Sequence, residues 1–91
     1  MKKINKSEII STLRMKKSGY GHYSVSIELE GKTLSATTSN MRAVDAAMMD
    51  DDDIEADNFY ETKEEGQTAL IDFILDMCEV AYSKEADFYC L

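Results

Sequence analysis

The residues of this 91-residue chain that could do chemistry are mainly its carboxylates, which concentrate in one run. The run contains six acidic side chains: Asp50, Asp51, Asp52, Asp53, Glu55 and Asp57. Carboxylates together can bind a cation or a basic partner, whereas catalysis needs a positioned base or nucleophile. His22 is the single histidine, and no serine or threonine has an identifiable base and orienting acid beside it. We therefore predict a binding protein rather than an enzyme, and we expect no cofactor.

Part of the acidic run matches the spacing of a calcium-binding loop. The candidate ligands at loop positions 1, 3, 5 and 12 are Asp53, Glu55, Asp57 and Glu64. Helical patterns lie on both sides of this segment, as in an EF-hand. However, Asn58 replaces the usual glycine at position 6, and glutamate is unusual at position 3. These departures favour a solvated acidic loop with weak cation binding over a specific calcium site.

Charge is distributed unevenly along the chain. Residues 1–45 carry eight Lys/Arg and four Asp/Glu, whereas residues 46–91 carry two Lys and fourteen Asp/Glu, for a net charge of −8. An acidic surface repels nucleic-acid phosphates and attracts basic proteins. We therefore predict that the acidic run forms a surface for a protein partner, either a basic protein or a second copy of the chain.

The basic half of the chain supports a second hypothesis. Lys16, Lys17, Tyr20, His22 and Tyr23 combine cationic and stackable side chains, which proteins use to hold single-stranded nucleic acid. Alternatively, the tyrosines cover the edge of the core, while the lysines are solvated or pair with the acidic half. Because the net charge opposes nucleic-acid binding, we rank this hypothesis below protein binding.

The stretch 21–40 is predicted to form the β-hairpin that positions these groups. Its apolar residues alternate with polar ones on both sides of Gly31: Tyr23, Val25, Ile27, Leu29, Leu34 and Ala36. Pairing Ile27 with Leu34 makes one face apolar and the other hydroxyl-rich, and a slip of one residue would mix the faces. The turn is either a two-residue connection or a four-residue loop with a left-handed Gly31.

Three helical patterns flank the hairpin. The first is a short stripe from Ile9 to Leu13, although residues 12–17 also alternate and could be a strand. The second begins at Met41 and should end near Met49 or Asp50, because consecutive aspartates suit a helix C-terminus poorly. The third has a capping box at 62–65. Its predicted apolar face contains Leu70, Phe73, Ile74, Met77, Cys78 and Ala81.

Gly66 stands inside the first turns of the last helix, where glycine lowers helix stability by about 1 kcal/mol relative to alanine. Two interpretations are open. The glycine either marks a close backbone contact, or the helix begins later, near Thr68.

We predict a single α+β domain over residues 1–91, ordered α-β-β-α-α, with helices on the apolar face of a central antiparallel hairpin. Residues 1–6 are expected to be a frayed basic end, 50–61 an acidic loop and 83–91 an apolar tail. Two strands alone are marginal. A third strand near 13–17 or 59–60, or edge pairing with a second copy, would widen the sheet. A homodimer through a sheet edge or through the tail is therefore an open prediction.

Composition favours a cytoplasmic location. No apolar run approaches the roughly 20 residues of a membrane helix, and no apolar region follows the basic start of the chain. Cys78 and Cys90 are predicted to be reduced thiols, since neither has a CxxC partner.

The run Gly21-His22-Tyr23, followed by Thr37 to Asp45, resembles small uncharacterised proteins of Bacteroides-type bacteria and their mobile elements. In that group a strand pair ending in Thr-Thr-x-Asn leads into a helix, and a final amphipathic helix follows. The likeness covers about the middle half of the chain, and its motifs are structural. It implies a bacterial, intracellular protein of similar fold and implies no activity. The acidic run departs from the group, where shorter or more basic connections are expected.

Overall fold

The computed structural model describes residues 2–3, 6–29, 31–56, 58–83 and 88–90. In chain order the described elements are β1 (Lys2–Lys3), α1 (Lys6–Thr12), β2 (Arg14–Gly19), β3 (His22–Leu29), β4 (Lys32–Thr38), α2 (Met41–Met48), a 3₁₀ turn (Asp51–Asp53), α3 (Lys63–Met77), β5 (Ala81–Ser83) and β6 (Phe88–Cys90). The chain is an α+β domain, as the sequence predicts.

The hairpin forms the centre of an antiparallel sheet with strand order β2-β3-β4. β3 and β4 pair in the register that the alternation predicts, with Ile27 opposite Leu34. The last pair is Leu29 with Lys32, so a two-residue connection joins the strands. Gly31 in this connection has φ +78°, a left-handed conformation that glycine adopts without strain.

β2 is the third strand of this sheet. The segment after α1 pairs antiparallel with β3, with Met15 opposite Val25. Met15 packs against the core, while the rest of β2 is exposed. The alternative third strand at residues 59–60 does not form, and these residues belong to an irregular segment.

The core lies between the apolar face of the sheet and the three helices. Its buried side chains are Ile9, Leu13, Val25, Ile27, Leu29, Ala43, Val44, Ala47, Leu70, Ile71, Ile74 and Leu75. The other sheet face carries hydroxyl groups that are exposed or half-exposed, including Ser26 of β3 and Thr37 of β4. Helices on one face of the hairpin are therefore confirmed.

The buried face of α3 is wider than the sequence predicts. Leu70 and Ile74 are buried as expected, but Ile71 and Leu75 are buried too. The prediction that Met77 belongs to the buried face is wrong, since its side chain is 58% exposed. The helix packs against α2 on one side and against the sheet on another, which covers a broader stripe than one contact would. The other predicted face residues are half-buried or lie outside the described side chains: Phe73 and Cys78 in the first case, Ala81 in the second.

The ends of the chain form a second antiparallel sheet, in which β6 pairs with β1 on one side and β5 on the other. The sequence predicts a frayed end at residues 1–6, but residues 2–3 are paired in β1 and α1 begins at Lys6, whereas residues 1, 4 and 5 lie outside the described part. The predicted tail, residues 83–91, contains β6. Residues 84–87 and 91, and the side chain of Cys90, lie outside the described part.

Side chains accept hydrogen bonds from backbone N–H groups at the N-terminus of α3. Thr62 Oγ1 accepts a hydrogen bond from the Glu65 N–H at 3.1 Å, as a capping box predicts. Glu65 Oε2 accepts from the Glu61 N–H at 2.8 Å. Asp51 Oδ1 accepts from the Lys63 N–H at 2.7 Å. One carboxylate of the acidic run therefore caps a helix, at the end where the helix dipole favours negative charge.

The backbones of α2 and α3 are in direct contact at Gly66. A Cβ atom on Gly66 would lie 2.7 Å from the Cβ of Ala46, 2.7 Å from the nitrogen of Ala47 and 2.8 Å from the oxygen of Ala43. The alanines and the glycine are all buried. Of the two interpretations of Gly66, the close contact is correct, because α3 already begins at Lys63.

Gly66→Ala should destabilise the protein. Two of the three clashing atoms belong to the α2 backbone, so the helices must move apart. We expect a loss of about 1–3 kcal/mol in the free energy of unfolding, more than the helix propensity of alanine returns. The midpoint of thermal unfolding should fall by roughly 5–20 °C.

Gly19→Ala is the matched control, because a Cβ at Gly19 meets no atom within 4 Å. Circular dichroism melts of both variants make the comparison. Equal midpoints for Gly66→Ala and the wild type would contradict the close helix contact.

Asp51→Ala should lower stability by about 1 kcal/mol, the typical contribution of a helix-capping side chain. The exposed neighbour Asp52, on the same 3₁₀ turn, is the control. Asp52→Ala should leave the urea midpoint unchanged or raise it slightly, since it removes repulsion between adjacent carboxylates. Equal losses for the two variants would show that charge in general, rather than the Asp51 hydrogen bond, stabilises α3.

Candidate functional site

The segment before α3 is anchored to the start of α2, and the anchoring exposes Phe59. The Nδ2 group of Asn58 donates to the Arg42 carbonyl at 3.5 Å, and Asn58 Oδ1 accepts from the Tyr60 N–H at 3.1 Å. Asn40 Nδ2 donates to the hydroxyl of Tyr60 at 3.2 Å, and the Tyr60 ring packs on the core. Phe59, between two anchored residues, is 74% exposed. Its ring meets that of Tyr60 edge-on, with centroids 5.1 Å apart.

Phe59 and Tyr60 border an open groove along the first half of α3. We call it the acidic–aromatic groove, and it is about 640 Å³ in volume. Its lining residues are Phe59, Tyr60, Thr62, Glu64, Glu65, Thr68, Ala69 and Asp72. All three charged residues in this lining are acidic. The groove therefore combines aromatic surface with negative charge.

A second depression adjoins the groove, and the acidic run contributes half of its lining. Its residues are Asp50, Asp51, Asp52, Lys63, Glu64 and Gln67. Glu64 lines both depressions. The Asp51 hydrogen bond to α3 holds the run at this position. Carboxylates before and after the irregular segment thus lie on two adjoining surfaces, whose linings contain Lys63 as their single cation.

The structure places most of the predicted partner-binding residues on the surface. Asp50, Asp51, Asp52, Asp53 and Glu55 are all exposed, and Asp57 lies outside the described residues. Sequence reasoning includes Glu65 and Asp72 in a possible acidic surface, but it missed Phe59 as a surface aromatic. The available signal was the pair Phe59-Tyr60 next to the acidic run.

The predicted calcium ligands do not converge in the described structure. Among the described side chains, no three His, Cys, Asp or Glu groups lie close enough to hold a metal ion. Asp53, Glu55 and Glu64 therefore form no cluster, while Asp57 lies outside the described part. In addition, α2 ends at Met48, well before Asp53, whereas an EF-hand loop directly follows its first helix.

The hairpin of β2 and β3 brings the predicted nucleic-acid-binding residues to one end of the sheet. Tyr20 lies in the turn and is 97% exposed. Lys17 lies opposite Tyr23, which is half-buried on the apolar face. Lys16 and His22 are exposed, and the alternation of the strands puts both on the hydroxyl-rich face. The five residues are close together, but they do not share a single face.

Comparison with known proteins finds no match to this chain among family models, curated proteins or solved structures. The resemblance to proteins of Bacteroides-type bacteria stays a prediction. Within the described residues, no helix has the length and apolar character needed to cross a membrane.

Proposed function

We propose that this chain is a small protein-binding module whose acidic–aromatic groove takes a basic segment of a partner protein. The main observation in support of this proposal is the exposure of Phe59. A large aromatic ring that is 74% exposed and held by anchored neighbours presents apolar surface to a partner without an ordering cost. Aromatic anchors of this kind dominate the binding energy of many interfaces.

The charge around the groove favours a basic partner. Glu64 is exposed between the groove and the adjoining depression, which Asp50 and Asp52 line. A segment with an apolar residue flanked by arginine or lysine would contact Phe59 and place its cations near these carboxylates. The net charge of −8 adds long-range attraction, which increases the association rate.

Helix capping and solubility are the alternative explanation for the acidic residues. Capping accounts for Asp51 and Glu65, which make hydrogen bonds at the start of α3. The helix dipole also favours Glu64 in the first turn of α3, but neither effect accounts for Asp52 or Phe59. Solubility would explain the exposed carboxylates, but an exposed phenylalanine beside them reduces solubility. The combination is better explained by a binding surface.

Phe59→Ala should weaken binding of a basic, apolar peptide by about tenfold or more, the usual effect of removing an aromatic anchor. The probe is a fluorescein-labelled peptide of alternating arginine and leucine, and fluorescence anisotropy measures its affinity. Met77→Ala is the control, because Met77 is 58% exposed on the other half of α3. Equal affinities for the two variants would contradict the proposal.

Glu64→Gln should reduce the affinity several-fold at low salt and very little at high salt, since salt screens an exposed charge. The same anisotropy titration at two salt concentrations measures this difference. An unchanged affinity at low salt would exclude Glu64 from the interface.

The second candidate function is nucleic-acid binding at the end of the β2–β3 hairpin. Its support is the almost complete exposure of Tyr20 beside Lys16 and Lys17, an arrangement that suits base stacking and phosphate contact. A double variant, Lys16→Glu with Lys17→Glu, should abolish retention on single-stranded DNA or RNA. Unchanged retention of this variant would exclude the hairpin as a nucleic-acid site.

Self-association through a sheet edge or the C-terminal tail stays a prediction, as do the cytoplasmic location and the absence of catalytic activity. Gel filtration of the purified chain at several concentrations measures the first of these directly.

A further inference from the structure

The central sheet has an open edge at β2. This strand pairs with β3 on one side, and no described strand pairs with it on the other. Every residue of β2 except Met15 is exposed. An open strand edge presents unpaired backbone N–H and C=O groups, to which an extended segment of another chain can pair.

The hydrogen bond of Glu28 indicates which backbone groups of β2 point outward. The Glu28 N–H donates to Thr12 Oγ1 at 3.0 Å, at the position where β2 would continue. Alternate residues of a strand point their backbone groups to the same side. The backbone of Ser24 and Ser26 therefore faces β2, and their partners Lys16 and Arg14 face inward. Consequently, the N–H and C=O groups of Met15 and Lys17 face outward.

The opposite edge, at β4, is partly occupied. The same alternation points the backbone of Ser35 away from β3. Its carbonyl accepts a hydrogen bond from the thiol of Cys78, with 3.6 Å between sulfur and oxygen. Cys78 directly follows α3, so the end of this helix lies against the middle of β4. β2 is therefore the more accessible edge.

The charge of β2 disfavours a second copy of the same strand as its partner. Antiparallel self-pairing through Met15 and Lys17 has three short registers. They place Lys16 opposite Lys16, Lys16 opposite Arg14, or Lys17 opposite Lys17. Like charges directly opposite each other are unfavourable in a sheet, whereas opposite charges are favourable. The occupant that fits this edge is an extended segment with acidic side chains.

We infer that the outer edge of β2 binds an extended acidic segment of another protein by strand addition. The backbone groups of Met15 and Lys17 hydrogen-bond the added strand, and its carboxylates face Arg14 and Lys16 on the hydroxyl-rich face of the sheet. This surface is separate from the acidic–aromatic groove and has the opposite charge. A negative binding test at one of these surfaces therefore does not contradict the proposal for the other.

The test uses a capped, labelled peptide of alternating glutamate and valine, together with the same peptide N-methylated at alternate amides. Methylation removes the donors of the added strand and keeps its charge. We expect the first peptide to bind the full chain and the methylated peptide to bind about tenfold or more weakly. Equal affinities of the two peptides would show that charge alone holds them, and strand addition would be wrong. Absence of binding by both would overturn it as well.

Lys17→Pro and Lys17→Thr form the matched variants. Both remove the same charge, but only proline removes the outward N–H, and an edge strand tolerates proline at a position whose N–H faces solvent. Lys17→Pro should bind the unmethylated peptide several-fold more weakly than Lys17→Thr, with the fold of each checked by circular dichroism. A single-stranded oligonucleotide is the competing ligand. If it binds both variants equally and the acidic peptide binds neither, the edge inference is wrong and the hairpin is a nucleic-acid site.

Discussion

The backbone contact between α2 and α3 at Gly66 brings together the two helices to which the candidate site is attached. Without a Cβ at this position, α3 approaches the alanine face of α2 to within van der Waals contact. The described residues between the two helices include Asp50 and Phe59, which line adjoining depressions together with Glu64 of α3. Asp51 and Tyr60 attach this connection at its two ends, one by capping α3 and the other by bonding to Asn40. The segment that carries Phe59 is therefore held between two helices that are in direct contact.

Charge separates into surfaces of opposite sign. Within the acidic run, Asp51 stabilises a helix terminus, while Asp50 and Asp52 are exposed beside the groove. The cations of β2 lie in another part of the fold, on a strand that pairs on one side only. Lysines on an edge strand also oppose pairing between identical copies. In the proposed binding mode, the same residues disfavour self-pairing of the edge and attract an acidic partner.

The elements that local patterns define could be predicted, whereas those that distant contacts define could not. Alternation determined the hairpin register, because only one register places all the apolar side chains on one face. Residues 12–17 satisfy both a helical and a strand pattern, and only pairing with β3 selects the strand. The exposure of Phe59 depends on hydrogen bonds from Asn58 and Asn40 that span 16 and 20 residues, which no local pattern encodes. Met77 continues the spacing of Leu70 and Ile74, but it is the last residue of α3 and is exposed there, which the pattern does not show.

Site-specific photo-crosslinking in the source cells tests the central claim most directly. Benzoylphenylalanine would replace Phe59 in one protein, Tyr20 in a second and Met77 in a third, and mass spectrometry would identify the crosslinked peptides. The account predicts a protein adduct at position 59 whose crosslinked segment is basic, with no such adduct at position 77. Adducts at position 20 alone, or crosslinks at position 59 to acidic or unrelated segments, would contradict the assignment of the groove as the partner-binding site.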